Sequence, residues 1–298
     1  MSAPHTDLTP AALTRPGTRG VVRVLGGAGT GKTTLLVRAA AAHIGAGVDP
    51  ESVLLLTGSS RLSTEARAAI TAELLRAGGR TVVREPLVRT VHSYAFAVLR
   101  LAAQRRGDPP PRLITSAELD GIIRELLAGD LEDGDRSPVA WPAVLRPALG
   151  TAGFATELRD LLARCTERGV DPLELQRIGR AEGRPEWVAA GQFAQVYEQV
   201  MLLRSAVGMA APQASIPALG AAELVGAALE AFATDDELLA AERARISLLL
   251  VDDAQHLDPQ AARLVRVLSA GADLTVLAGD PNQSVFGYRG ADPALLQG

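Results

Sequence analysis

A glycine-rich stretch near the N-terminus has the residue types and spacing of a phosphate-binding loop. Residues 26–33 read Gly-Gly-Ala-Gly-Thr-Gly-Lys-Thr and match G-x-x-x-x-G-K-[ST] at every fixed position. In such a loop the backbone N–H groups surround a phosphate, the lysine reaches the β- and γ-phosphates, and the last hydroxyl takes a Mg²⁺ coordination position. Lys32 and Thr33 would fill these roles, and Lys32 is the only lysine in the sequence. The stretch predicts a nucleotide-binding loop.

A pair of neighbouring carboxylates predicts the second half of the same site. Asp252 and Asp253 directly follow the apolar run 246–251. Opposite a phosphate loop, the first carboxylate can hold Mg²⁺ through its waters, and the second can orient or deprotonate the attacking water. Paired acids also occur at ordinary solvated strand ends. The complete phosphate loop favours the catalytic interpretation.

Strands and helices that alternate along the chain would position these residues. Apolar runs typical of buried parallel strands lie at residues 21–25, 52–57, 246–251 and 274–278. Helical stretches lie between them at 63–77 and 92–104, and a further helix starts at Asp258-Pro259, an N-cap followed by proline. This alternation predicts an α/β fold, in which right-handed βαβ units form a parallel sheet.

The middle of the chain has a different character. Residues 107–236 show helical periodicity without a convincing strand, with a capping-box pattern at 115–118 and an acidic loop at 129–138. Four aromatic residues of this segment are interpreted as core, namely Trp141, Trp187, Phe193 and Tyr197. We therefore predict a large all-helical insertion at 107–236 in an α/β domain made of 21–106 and 237–298. Residues 1–20 are expected to form a flexible leader.

Composition limits the possible partners and compartments. The net charge of −4 gives no overall basic field, so any contact with nucleic acid must be local. The single cysteine, Cys165, cannot form an internal disulfide, which suits a reducing cytosol. The sequence has no signal-peptide pattern and no apolar run of membrane-spanning length. We expect a cytoplasmic protein that does not bind membranes.

Five ordered segments together resemble the superfamily 1 DNA helicases of the UvrD/Rep type. They are residues 26–34 (motif I), 54–61 (motif Ia), 90–93 (Thr-Val-His-Ser), 251–255 (motif II) and 279–291 (motif III). The last, Gly-Asp-Pro-Asn-Gln-Ser-Val-Phe-Gly-Tyr-Arg-Gly-Ala, is the most specific. Within that family the chain looks most like the AdnA side of the actinobacterial AdnAB helicase-nucleases. The resemblance implies a RecA-like domain 1A that flanks a helical insertion, domain 1B, and it implies ATP and Mg²⁺ as ligands.

The resemblance also assigns a role to individual residues. Those that would bind the nucleotide are Gly26, Gly27, Ala28, Gly29, Thr30, Gly31, Lys32, Thr33 and Thr34. Those with a catalytic role would be Lys32, Asp252, Asp253 and the γ-phosphate sensor Gln283, with Thr33 and Asp252 as metal ligands. Those that would contact single-stranded DNA are Thr57, Arg61, Thr90, His92, Phe286, Tyr288 and Arg289. Tyr288 would stack on a base, a contact that reads no sequence.

The sequence departs from the family at several of these positions. Asp253 stands where the family normally has glutamate, His256 replaces an acid, and Gly58 replaces an aromatic residue. No glutamine precedes the phosphate loop as an adenine reader, and no second RecA-like domain follows motif III. We therefore expect either a missing C-terminal motor domain or a helicase or nuclease partner subunit. Three functions remain open: a motor that translocates on single-stranded DNA, in repair or recombination; a degenerate, non-catalytic clamp subunit; and a P-loop switch without a DNA role.

Overall fold

The computed structural model describes residues 10–13, 18–77, 87–209, 218–283 and 296. The chain divides into two compact units, one made of residues 1–94 and 229–298 and the other of residues 95–228. The assignment of these units to domains 1A and 1B stays a prediction. None of the described helices is long and apolar enough to span a bilayer.

The helices and strands alternate at both ends of the chain. The helices are α1 (Pro10–Leu13), α2 (Lys32–Gly45), α3 (Ser60–Arg76), α4 (Val91–Arg106), α5 (Ser116–Asp133), α6 (Ala152–Arg168), α7 (Pro172–Ala181), α8 (Pro185–Met209), α9 (Glu223–Thr234), α10 (Asp236–Arg245) and α11 (Pro259–Ser269). The strands are β1 (Gly20–Leu25), β2 (Val53–Thr57), β3 (Leu87–Thr90), β4 (Arg112–Leu113), β5 (Ala218–Leu219), β6 (Leu248–Val251) and β7 (Leu274–Gly279).

Five of these strands form a parallel sheet in the order β1-β7-β6-β2-β3. Leu250 of β6 lies level with Leu55 of β2 and Val276 of β7. The central strands β2, β6 and β7 are buried along their whole length, as expected for a sheet covered on both faces. The predicted α/β class is confirmed. All five strands end at the same edge of the sheet, where parallel α/β proteins bind their ligands.

One hydrophobic core packs helices on this sheet. Leu36 and Ala40 of α2 and Ile70 of α3 are fully buried in the same cluster as the strand residues. Leu13 of α1 belongs to it too, with 1% of its surface exposed. The predicted flexible leader therefore contributes a helical turn and a core side chain. A leucine in a short Pro/Thr-rich stretch carries no signal in the sequence that distinguishes docking from disorder.

The second unit has a core of its own, formed by α5 to α8. Phe193 is 1% exposed, and Trp141 lies beside it and against Phe154, with ring centroids 6.0 and 5.4 Å away. The Trp141 indole N–H donates to the Asp130 carboxylate at 2.7 Å. Trp187 and Tyr197 pack against the same cluster. The four aromatic residues are thus core residues, as predicted.

Two details of this unit differ from the prediction. The acidic loop expected at 129–138 is helical as far as Asp133, because Asp130 accepts bonds from Ser137 and Trp141 and so belongs to the packed structure. The segment also contains a parallel pair of two-residue strands, with Arg112 level with Ala218 and Leu113 level with Leu219. Two residues are too few for a strand pattern to be recognised in the sequence.

A buried ionic network lies near the start of α4, within the first unit. The Tyr94 hydroxyl donates to Glu242 Oε2 on α10 at 2.6 Å. Arg245 donates to both oxygens of the same carboxylate, at 2.6 and 3.0 Å. Burial disfavours the ionised carboxylate, but the bonds from Arg245 and Tyr94 outweigh it, so the pKa of Glu242 lies below its usual value. The network ties α4 to α10.

Candidate nucleotide site

The phosphate loop lies between β1 and α2, at the edge where the strands end. Gly29 (φ 73°) and Gly31 (φ 85°) are in the left-handed region, which glycine adopts at no steric cost. Gly31 is the N-cap of α2. A Cβ on Gly26 would lie 2.7 Å from Thr30 Oγ1, whose hydroxyl donates to the Gly27 carbonyl at 2.8 Å. The shape of the loop therefore favours glycine at three of its four glycine positions, 26, 29 and 31.

The Lys32 side chain folds back onto the loop. Its Nζ donates to the carbonyl oxygens of Gly26 and Gly27, both at 2.7 Å, and the side chain is half-buried. Phosphate oxygens carry charge and are stronger acceptors than carbonyls. A bound triphosphate would therefore compete for the same ammonium group.

The structure brings Thr33 and Asp252 together across 219 positions of sequence. Thr33 Oγ1 donates to Asp252 Oδ2 at 2.6 Å. Asp252 is 6% exposed, and burial raises the pKa of its carboxyl; the charge of Asp253 adds to this and the Thr33 hydroxyl opposes it. A bound cation would favour the ionised form. Hydroxyl and carboxylate oxygens are ligands that Mg²⁺ accepts, so the pair fits the predicted metal site.

No cluster of three or more His, Cys, Asp or Glu side chains that could hold a metal occurs in the described part of the chain. This does not conflict with a magnesium site, because Mg²⁺ is usually held by one or two carboxylates, waters and the substrate phosphates.

Asp253 has an unusual backbone. Its φ of 51° and ψ of 43° place it in the left-handed region, the only non-glycine residue with positive φ in the described ranges. Such a conformation costs a non-glycine residue about 1–3 kcal/mol, and Asp and Asn are the side chains that adopt it most readily. The Asp253 backbone N–H donates to Asp252 Oδ1 at 3.1 Å, which helps to fix the Asp252 carboxylate.

The segment after β7 lies next to the phosphate loop. Gly26 N–H donates to the Gly279 carbonyl at 3.2 Å, since Leu25 and Gly279 are level in the sheet. Gln283 ends a short 3₁₀ turn, Pro281–Gln283, and its N–H donates to the Asp280 carbonyl at 3.0 Å. The Gln283 side chain is exposed. The ends of β1, β6 and β7 thus carry Lys32, Asp252, Asp253 and Gln283 on neighbouring segments.

Thr57 differs from the other predicted DNA contacts, because the structure does not expose it. It is 4% exposed, and its hydroxyl is bonded to Ser63 Oγ at 2.6 Å and to the Ser59 carbonyl at 3.1 Å. The side chain therefore shapes the start of α3, and its contact with DNA stays a prediction. Its polar character in the sequence gave no sign of burial.

The remaining DNA candidates lie near the ends of β2 and β3 or outside the described residues. Arg61 is exposed on α3, 3.6 Å from Glu65. Thr90 Oγ1 accepts from the Ser93 N–H at 3.1 Å, and His92 lies half-exposed in the first turn of α4. Phe286, Tyr288 and Arg289 lie outside the described residues. These six residues stay predicted contacts.

Comparison with known proteins identifies the family. A family model for the UvrD/REP helicase N-terminal domain matches residues 8–298. The chain belongs to the UvrD/REP helicase family. It is also 23% identical over 281 residues to the putative ATP-dependent DNA helicase YjcD of Bacillus subtilis (strain 168), an alignment covering 94% of this chain and 32% of the relative. The chain thus spans about a third of the length of that relative.

Membership of the UvrD/REP family accounts for the RecA-like parallel sheet and supports ATP as the nucleotide. The finer likeness to AdnAB subunits stays a prediction.

The sequence reasoning missed Gln255. It lies three residues after Asp252, is 3% exposed, and its side-chain oxygen accepts from the Asp280 N–H at 3.1 Å. The residue was visible in motif II. Its burial was not, since glutamine is mostly an exposed residue type.

Proposed function

We propose that this chain is the ATP-binding motor portion of a UvrD/REP-type DNA helicase that couples hydrolysis of Mg·ATP to translocation on single-stranded DNA. The observation that carries the proposal is the 2.6 Å bond between Thr33, at the end of the phosphate loop, and Asp252, at the end of β6. It joins the expected phosphate and magnesium halves of an NTPase site.

In this proposal the loop residues bind and orient the triphosphate. The backbone N–H groups of 26–33 and the start of α2 surround the phosphates, and Lys32 turns from the Gly26 and Gly27 carbonyls to the β/γ-phosphates. Thr33 and Asp252 would hold Mg²⁺, which neutralises charge on the β- and γ-phosphate oxygens. Burial of Asp252 excludes water from one side of that position.

Asp253 orients the attacking water or takes its proton. The water oxygen forms a bond to the γ-phosphorus as the bond to the β-phosphate oxygen breaks, giving ADP and phosphate. The proton passes to the Asp253 carboxylate or directly to a phosphate oxygen. Gln283, on the turn after β7, would sense the γ-phosphate and transmit its loss to the DNA-binding residues.

Single-stranded DNA would be bound at a local surface. With a net charge of −4 the chain lacks a general basic field, so contacts must come from a few residues. Arg61, Thr90 and His92 lie near the ends of β2 and β3, the same edge as the nucleotide site. Together with Phe286, Tyr288 and Arg289 they would contact backbone and bases without reading sequence. A cytoplasmic role in DNA repair or recombination is part of this proposal.

A second candidate is a non-catalytic clamp subunit. It is favoured by Asp253, which is one methylene shorter than the usual glutamate and sits on a strained backbone. Such a subunit would bind nucleotide and depend on an active partner for turnover.

Phosphate release by the protein as its gene encodes it tests both candidates, with Lys32→Ala as the control for contaminating enzymes. The motor proposal expects turnover that depends on Lys32 and rises when single-stranded DNA is added. Binding of Mg·ATP without such turnover would favour the clamp. Turnover that depends on Lys32 but does not change when single-stranded DNA is added would instead indicate an NTPase switch.

A further inference from the structure

Gln255 connects Asp253, the acid proposed to orient the attacking water, to the segment that carries Gln283, the proposed γ-phosphate sensor. Its Nε2 lies 3.3 Å from Asp253 Oδ1 and 3.2 Å from His256 Nε2, and its Oε1 accepts from the Asp280 N–H at 3.1 Å. A backbone N–H needs an acceptor and a carboxylate needs a donor, so both ends require the same orientation of the amide.

The end of β7 leaves room for the Gln255 side chain. A Cβ on Gly279 would lie 2.4 Å from Gln255 Oε1 and 2.6 Å from Leu296 Cδ1, so one or both side chains would have to move. The φ of Gly279 is not in the positive range, so the space taken by Gln255 and Leu296, and not the backbone conformation, favours glycine here. The same Gly279 accepts from Gly26 N–H through its carbonyl. Gln255 therefore fills a gap between the phosphate-loop side of the sheet and the two acids.

We propose that Gln255 is a positioning residue for ATP turnover, which holds the Asp253 carboxylate and fastens it to the Asp280–Gln283 segment. The inference rests on the proposed function, because it takes Asp253 as the residue that orients the attacking water. A neutral amide can fix a carboxylate by a hydrogen bond without adding a charge of its own to the site. If the Asp280–Gln283 segment rotates, the Gln255 side chain moves with it and shifts the Asp253 carboxylate.

Steady-state turnover of the protein as encoded, with single-stranded DNA present, tests the proposal in three variants. Gln255→Met removes both bonds at similar volume. Gln255→Glu keeps the shape and an acceptor for Asp280 N–H, but faces Asp253 with a second carboxylate. Gln104→Met is the matched control, because Gln104 is exposed on α4.

We expect both Gln255 variants to lower kcat by about 10- to 100-fold, the order of loss when a reacting group shifts by about 1 Å. KM for Mg·ATP should stay level, since Gln255 bonds to Asp253 and Asp280, whereas the triphosphate is expected at Lys32 and Thr33. Gln104→Met should match the wild type. A Gln255→Glu variant that turns over like the wild type would overturn the inference alone, as would equal losses in kcat and nucleotide binding together with a lower unfolding temperature. A wild type without Lys32-dependent turnover would overturn the proposed function, and this inference with it.

A double-mutant cycle checks the contact itself. Gly279→Ala would push a methyl group into Gln255 and should lower kcat. Because Leu296 Cδ1 would lie 2.6 Å from the same methyl group, every arm of the cycle carries Leu296→Ala. In that background Gly279→Ala combined with Gln255→Ala, which then frees the space, should add little further loss, because residues in contact are not additive. Additive losses would show that Gly279 acts independently of Gln255 and would overturn the proposed link.

Discussion

Lys32 holds two carbonyls of its own loop at 2.7 Å, and a bound triphosphate would take their place. A charge-assisted hydrogen bond to such a group contributes about 1.5–3 kcal/mol. We expect Lys32→Ala to weaken Mg·ATP binding by about 10- to 100-fold in calorimetry while the fold is kept. Arg38→Ala removes a cation from the exposed part of the same helix and is the control. Equal affinities of the two variants would exclude Lys32 from the site.

Asp253 is the second residue whose role can be tested alone. If its shorter side chain leaves the attacking water about 1 Å from the best position, the cost is on the order of 10²-fold in rate. Asp253→Glu should then raise phosphate release by the protein as encoded, at unchanged Mg·ATP affinity. A large drop would show that the shorter acid is matched to its positive φ, and the view of a weakened motor would be abandoned.

At the scale of elements, Tyr94 and Glu242 join α4 to α10 by a bond of 2.6 Å. Hydrogen bonds to a buried charged group contribute about 1.5–3 kcal/mol. Tyr94→Phe should lower the free energy of unfolding by about that amount at neutral pH, measured by chemical denaturation. An unchanged free energy would mean that Arg245 alone satisfies the carboxylate.

The same network predicts a pH dependence of stability. The pKa of Glu242 is lower in the folded chain than in the unfolded one, so its stabilisation is present above the unfolded value of about 4.3 and is lost as pH falls through the lower, folded value. Glu242→Gln should therefore flatten the acid side of the stability curve. Glu237→Gln, on the exposed side of α10, should not.

The strands could be predicted from the sequence wherever burial on both faces requires a continuous run of apolar residues. Apolar runs at 52–57, 246–251 and 274–278 correspond to β2, β6 and β7 to within two residues, because strands covered on both faces are continuously apolar. The end of α5 could not be predicted, since its last acidic turn reads as solvated loop. Its stability depends on bonds from Ser137 and Trp141 to Asp130, which only the fold brings close.

The candidate site shows the same division. The phosphate loop follows from a contiguous motif whose glycines have a steric reason. The motifs predicted that Thr33 and Asp252 would share one site, and the structure places them 2.6 Å apart. The strand order that brings them together was not predicted. The burial of Thr57 and of Gln255 was not foreseen, because whether a polar side chain is buried depends on neighbours far along the chain.

At the scale of the whole molecule, the two units have separate hydrophobic cores. Leu36→Ala and Phe193→Ala each open a cavity in one of them, at a cost of about 2–5 kcal/mol. Both should lower the unfolding temperature. Only Leu36→Ala should also weaken Mg·ATP binding, because α2 begins with Lys32 and Thr33. If Phe193→Ala removed nucleotide binding as well, the sheet would depend on the helical unit for its own folding.

The phosphate loop holds the only lysine of the chain, with its ammonium half-buried against two carbonyls. Every modification that needs a lysine amine, whether acetylation, attachment of a ubiquitin-like protein or chemical cross-linking, has one side-chain target here. Within these 298 residues, such a mark could not be placed without disabling the nucleotide loop. Conversely, an amine-reactive dye would report nucleotide occupancy directly, since bound ATP would shield its one side-chain target.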